Sequence, residues 1–591
     1  MCKPCPSSLY DHCANGGELV GERGCGFLSL FCEGHCRMAA KVTPPKEADW
    51  IVVGAGASGC AAAAALADAG AEVVVLERGQ NDRDNSQKDT QQASTWPAVV
   101  NTDAAQKIQW QDGVWGAVAN VLGGGTSVNG GLYIEEEPEF LQQTFGESFD
   151  LDAFYASSAY LSKNLTEPLA PSQFGHDFAR ALADANLGSK DPQPSVRMKD
   201  GSWVAHSTIN TTQADWPRRG ASVLLHERAH LPNLKVLTEF QVTRVLVEGQ
   251  KATGVRVETS SGGDVSIVAR KGVIMAAGAI FTPQLLQISG IGDEQLLARL
   301  GVTPVVKNSA VGANFIDRNV LPMGVWTHGK EPLYTGWAMA VNKSLGLTIE
   351  SEGWGEVTSE FALSSLALVP PDQRSSVLRS TLDLLFKTGI ANIMNNMIQL
   401  VSLQHNTRSR GTVEAVSANA KTAPKVNANF FSDERDLEEQ LTSMRTLLRL
   451  LNTDPVQKYV FPGEDFVPAG IPLPSYLTCM TKRPGQDEKA IVLPCMPEAG
   501  SSNERYYEYF RNTRVSSYHY FGTAAFGSVV EGADFHVKGV DNLHVVDASV
   551  FPHPTQVNPQ GTIMAMGHYI GTKLAQGQRR LAERAEPHVM V

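Results

Sequence analysis

The sequence predicts an α/β chain, α+β overall, in which a helix-covered parallel sheet carries an inserted domain of sheet and helix. Three observations predict it. The 591 residues exceed what one hydrophobic core organises, so two structural bodies are expected. A strand, a Gly-rich turn, a helix and a second strand follow one another between residues 49 and 77. The same grammar returns near the C-terminus, after two long stretches of less regular pattern.

Taken in order, the linker VTPPKEA leads into DWIVV (Asp49–Val53), short and β-branched as a strand should be. A Gly-rich turn opens an Ala-rich helix from about Ser58 to Ala69, and Gly70 stands where a left-handed residue ends a helix. AEVVVLE is a continuous apolar run, as in a parallel strand buried on both faces. NLKVLTEFQVTRVLVEG and ATGVRVETSSGGDVSIVAR alternate as strands with turn residues between them, and GVIMAAGAI is another buried-strand run. LHVVDAS is the last strand, followed by a Pro/Asn-rich loop and a helix from about Thr562 to beyond Ala575. Residues 141–200 and 321–510 are more mixed and read as the inserted body.

Composition narrows the function. With 50 basic and 62 acidic side chains the net charge is −12, and no basic cluster points to nucleic acid. No apolar run is long enough to span a bilayer. Six of the nine cysteines fall within the first 36 residues, with His12 and His35 among them. Cys2-x-x-Cys5 has metal-ligand spacing, but the remaining intervals match no zinc pattern. Met38 opens a second start, MAAKVTPPKEADW, so the segment before it reads as an extension and no metal is assigned. "GFLSLF" is too short, and lacks a charged lead-in, for a signal peptide. Cys479 and Cys495 could pair in an oxidising compartment, which the sequence leaves open.

The chemistry begins at Gly54-x-Gly56-x-x-Gly59, directly after a strand and opening a helix, with Glu77 ending the next strand. Such glycines let the backbone turn tightly and approach a pyrophosphate at the positive end of the helix, while the acid accepts from a ribose. Cys60 beside them reads as a small buried hydrophobe. In VLGGGTSVNGGLYI (Val121–Ile134), glycines and short polar side chains bring donors close without bulk, which suits a flavin and its phosphates. GAIFTPQLLQISGIG (Gly278–Gly292) and VVDASVFPHPTQVNPQGT complete a set of four.

Together these segments resemble the signature stretches of the glucose–methanol–choline (GMC) oxidoreductases, in the family's order, from about residue 49 to 575. NANFFSDERDLEEQLTSMRTLLRLL and NPQGTIMAMGHYIG most resemble the plant-type branch with mandelonitrile lyases and HOTHEAD-like proteins. The resemblance implies a Rossmann-like FAD-binding domain made of 49–140, 201–320 and 511–580. It places a substrate-binding domain at 141–200 and 321–510, flanked by the Cys-rich extension 1–48 and a tail 581–591. It implies that FAD is held by Gly54, Gly56, Ser58, Gly59, Glu77, Gly124, Thr126, Asn129, Val242 (adenine side, through its backbone), Asp547 and Ala548. Val128 stands where some members carry a flavin-linked histidine, so the FAD is expected to be non-covalent.

By the same resemblance, His519 in SSYHYFGTAAFG has the spacing of the family's active-site histidine, with Asn558 as its partner. An alcohol C–H becomes a hydride donor toward flavin N5 only as its O–H proton departs. A neutral imidazole can take that proton, and an amide N–H can hold the oxygen. His553, in the loop of Asn558, is the second choice of base; His544 and His568 read as structural. The expected activity is oxidation of a small-molecule alcohol, with O₂ or another acceptor taking the electrons. The alternatives are a hydroxynitrile lyase with non-redox FAD, a fatty-acid photodecarboxylase and a non-catalytic flavoprotein. As the family reads, lyases carry His at the position of Asn558 and photodecarboxylases lack the histidine. Trp337, Trp354, Phe361, Leu385 and Phe386 suit an apolar alcohol, but suit an ordinary core better.

Overall fold

The strand Glu47–Val53 lies at the centre of a nine-stranded sheet. On one side it runs parallel to Asp264–Met275, and on the other parallel to Val73–Leu76. Leu234–Leu237 and Leu543–Val545 extend the parallel set outward. In register, Val53 stands beside both Met275 and Leu76, Leu76 beside Leu237, and Met275 beside Val545. The carboxyl ends of five strands therefore form one row, the edge at which open α/β sheets bind ligands. The computed structural model describes residues 43–585, apart from 85–89, 91–98, 100–101, 211, 214–215, 260–261, 328–337, 354–396, 461–491, 494 and 498–499.

The expected helix spans Ala57–Asp68 and is buried along nearly its whole length. Its alanines answer a spatial demand, because it is packed between the sheet and the C-terminal helix Gln560–Ala585. A Cβ on Gly567 would stand 2.2 Å from the Ser58 carbonyl oxygen, and one on Gly571 2.7 Å from that of Ala62. Small residues on both helices set how closely they approach. Gly70 has φ +89°, and its N–H reaches the Ala67 carbonyl at 2.9 Å, ending the helix as the sequence predicts.

Gln241–Glu248 and Lys251–Glu258 form the antiparallel hairpin that the alternation predicts, with Gly249 (φ +62°) at its turn. GVIMAAGAI divides in two: the strand stops at Met275, and Gly278 (φ +82°) begins the helix Gly278–Ile288. A glycine in the left-handed region lets the chain leave the sheet there.

A second sheet of six strands has the order Val492–Leu493, Val320–Trp326, Met397–Gln404, Leu347–Gly353, Ala338–Asn342, Gly201–Val204, antiparallel throughout. Side chains alternate across such strands. Leu321, Met323, Val325, Ile349, Ile398 and Leu400 enter a core with Leu437, Leu441 and Met444 of the helix Arg435–Leu451. Val320, Pro322, Glu350, Gln399, Val401 and Leu403 face the other way, into a cavity.

Cys495 is disulfide-bonded. The Cys-rich start, Cys479, Trp337, Trp354, Phe361, Leu385 and Phe386 lie outside the described residues. Among the described residues no helix is long and apolar enough to cross a membrane.

Candidate active site

A cavity of ≈ 430 Å³ lies between the carboxyl ends of the parallel strands and the six-stranded sheet. Gly54, Gly56, Ser58, Glu77, Gly124, Thr126, Asn129, Val242, Asp547, Ala548, His519 and Asn558 all line it. Gly59 does not. A Cβ there would stand 2.1 Å from the Gly54 carbonyl oxygen, so its smallness serves the closure of helix onto strand.

The first turn is shaped for a backbone ligand. Gly54 has φ +97°, and a Cβ on it would meet the Ala276 carbonyl oxygen at 2.5 Å. Gly56 caps the helix with no side-chain acceptor, and no acid occupies the first turn. The opening N–H groups and the helix dipole are thus left for an anion. Gly124, which begins the short 3₁₀ turn Gly124–Ser127, lies against Gly56, where a Cβ would come within 2.6 Å of the Gly56 Cα. The two Gly-rich turns form a single cradle that side chains would fill.

Glu77 is buried, and its carboxylate accepts from the Ala55 N–H at 3.0 Å and the Gly79 N–H at 2.7 Å. Burial raises its pKa, and those two bonds pull it back. Each oxygen keeps a lone pair for a further donor. The Thr126 hydroxyl donates to the Gly123 carbonyl at 2.7 Å and accepts from Ala221 N–H at 2.8 Å. Asn129 donates to Gln560 and accepts from Gly131 N–H at 3.0 Å.

The Asp547 carboxylate is occupied by the protein itself. Gly278 N–H, the Thr282 hydroxyl and both the N–H and hydroxyl of Ser549 donate to it. What this stretch can offer a cofactor is backbone. Val128 lines the cavity and has no atom able to bond covalently to a flavin. Arg78, absent from the sequence reading, also lines it, with its guanidinium 4.0 Å from the centre of the Phe281 ring. Its position next to Glu77 was the one available signal.

At the far side stand His519 and Asn558. Among the described residues nothing hydrogen-bonds His519 Nδ1 or Asn558 Oδ1. Burial, and then the positive charge of Arg318, push the His519 pKa down to about 3, so the imidazole is neutral. The residue before it, Tyr518, has φ +59°, which turns the histidine toward the cavity at a conformational cost. The Asn558 side chain hydrogen-bonds Glu350, whose pKa burial raises to about 7 against Arg318 and that bond. Sequence reasoning missed Glu350 because a lone glutamate in TIES carries no local signal.

The other histidines are elsewhere. His553 does not line the cavity, and its Nδ1 lies 3.5 Å from an Arg410 nitrogen. His544 Nδ1 is 2.9 Å from the Asp534 carbonyl oxygen, and His568 stacks on Tyr160 with centroids 4.9 Å apart. Cys60 is fully buried, and its thiol donates to the Ala55 carbonyl at 3.1 Å.

A parallel sheet, a Gly-lined cradle beside a buried acid, and an imidazole on the same cavity are the parts a dinucleotide-dependent oxidoreductase needs. Residues 196–320 and 407–567 each match the family description GMC oxidoreductase, and 52–81 match an NAD(P)-binding Rossmann-like domain. The chain belongs to the GMC oxidoreductase family, and is accordingly an FAD-dependent enzyme. It is 28% identical over 557 residues to (R)-mandelonitrile lyase 4 of Prunus serotina, covering 89% of this chain and 85% of that one. It is also 28% identical over 557 residues to the sinalpyl alcohol oxidase of Nesocodon mauritianus, covering 91% and 90%. Among solved structures, pyridoxine 4-oxidase from Mesorbium loti shares the fold with a TM-score of 0.69 at 18% identity, over 90% of this chain and 99% of that one.

Proposed function

We propose that the protein oxidises the CH–OH group of a small alcohol, with His519 as the base and Asn558 holding the substrate oxygen. The observation that carries this reading is that a neutral imidazole and a carboxamide, from separate segments, line the same cavity as the Gly-rich cradle. Gly54, Gly56, Glu77, Gly124 and Val242 would hold FAD, which when bound would supply the hydride acceptor. His519 receives the hydroxyl proton on a ring nitrogen. So weak a base does not strip off a free alkoxide; the proton leaves as the C–H bond weakens. Asn558 has two N–H donors. One serves Glu350, and the other is available to the alcohol oxygen as its charge grows.

We assign substrate contact to the six-stranded sheet, most of whose strands fall in 321–510. Val320, Pro322, Val401 and Leu403 present an apolar wall, interrupted by Gln399 and Glu350. That composition suits an alcohol with an apolar body, from which O₂ or another acceptor finally takes the electrons.

Similarity to a mandelonitrile lyase supports a second reading, cleavage of a hydroxynitrile without redox change. Mixing the flavin-loaded protein with aliphatic, aromatic and amino alcohols without oxygen separates the two. Bleaching of the flavin absorbance is the expected result. Cyanide release from mandelonitrile with no bleaching by any alcohol would replace oxidation with the lyase reading.

A further inference from the structure

Asp317 and Arg318 are consecutive, and both are buried (2% and 0% exposed). Ile316–Asp317 forms a short antiparallel pair with Tyr520–Phe521, immediately after His519. Consecutive side chains of an extended segment point in opposite directions. Here the two directions lead to the two arms of the site.

Toward His519, the Asp317 carboxylate accepts from the Ser517 hydroxyl at 2.7 Å and the Ser517 N–H at 3.3 Å. The Ser517 oxygen in turn accepts the His519 N–H at 3.3 Å. These bonds close around Tyr518, the left-handed residue that aims the histidine. Toward Asn558, Arg318 spreads its fork over three carbonyl oxygens: Nε to Gln404 at 2.9 Å, Nη1 to Val557 at 2.9 Å, and Nη2 to Gln556. The N–H groups of Gln556 and Val557 both donate to one oxygen of Glu136, itself fully buried. The Thr348 hydroxyl adds a bond of 2.6 Å to the Gln556 carbonyl. The two peptides before Asn558 are thus gripped by the Arg318 guanidinium on their oxygens and by the Glu136 carboxyl group on their nitrogens.

We propose that Asp317 and Arg318 jointly set the placement of His519 relative to Asn558, Asp317 acting through the 516–519 turn and Arg318, with Glu136, through the 556–558 loop. None of the three lines the cavity, so they are positioning residues rather than participants in the chemistry. The inference rests on the reading of His519 and Asn558 as the pair that handles the alcohol. Two arms 39 residues apart in sequence (519 to 558) are both held from one buried dipeptide. Lysine could keep the charge of Arg318 but not span three fixed acceptors, and Asp317→Asn would leave Ser517 only an amide oxygen while burying two N–H donors where Asp317 Oδ2 has no hydrogen-bond partner among the described residues.

The test uses FAD-loaded wild type, D317N and R318K, followed by hydrogen exchange read by mass spectrometry and by anaerobic flavin reduction. D317N should raise exchange in 515–521 and leave 555–560 unchanged; R318K should do the reverse. Each should slow the limiting reduction rate about 10²-fold with half-saturation nearly unchanged, the scale of a misplaced reacting group. The doubles D317N/H519A and R318K/N558A should be no slower than H519A and N558A, because each positioning residue acts only through its partner. Exchange that rises in both arms alike, or in neither, overturns the proposal, as do losses that multiply in the doubles. A wild type that no alcohol reduces would refute the oxidation reading instead, and the exchange pattern would still decide the positioning claim.

Discussion

At the scale of single residues, His519 is neutral through the whole range in which the protein would be assayed, since its pKa lies near 3. The acid limb of the reduction rate attributable to it therefore falls below about pH 5, not near the pH ~6.5 of a free histidine. Removing the imidazole (His519→Ala) should slow flavin reduction by about 10² to 10⁴-fold, measured by stopped flow without oxygen. Glu350 behaves differently, with a pKa near 7. Once ionised it only accepts, and so fixes the Asn558 amide with an N–H toward it. The rate should rise as pH passes upward through 7, and Glu350→Gln should flatten that rise. A rise that persists in the Gln variant would transfer it to another group.

At the scale of elements, the contact between the two long helices gives the sharpest test. Gly567→Ala places a Cβ 2.2 Å from the Ser58 carbonyl oxygen, and backbone has to move. The expected loss is about 1–3 kcal/mol, seen as a lower melting temperature of the flavin-loaded protein. Gly577→Ala, further along the same helix, meets nothing within 4 Å and should be neutral or slightly stabilising through helix propensity. If both variants melted alike, close approach would not be what Gly567 provides. The opening βαβ unit was legible in sequence because each of its signals is local: the glycines, the Ala-rich helix and Glu77 fall within one short window. The Met275 boundary was not, because AAGAI is as apolar as the strand before it and only the turn at Gly278 divides them.

At the scale of the whole molecule, the cofactor cradle draws on segments that begin near residue 54 and end near 548, so filling it ties distant parts of the chain together. FAD at a hundred times its dissociation constant should add about 2.7 kcal/mol of stability, with a melting temperature that climbs as FAD is titrated into flavin-free protein. A melting temperature indifferent to FAD would contradict a cradle of this reach. Distance also explains what the sequence concealed. His519 and Asn558 emerged from the spacing of family motifs, whereas Glu350, Arg318 and Glu136 acquire meaning only when strands far apart in the chain pair. MIQLVSLQ lies in a stretch that reads only as mixed in sequence, and which of its faces meets the cavity is decided by the helix Arg435–Leu451 covering the other. That division of labour bears on how the enzyme could diversify. Positions 320, 322, 399, 401 and 403 can change the alcohol that fits, while 321, 323, 398 and 400 keep the sheet closed. A new specificity is then a matter of rewriting every second letter of a strand, with the letters between left as they are.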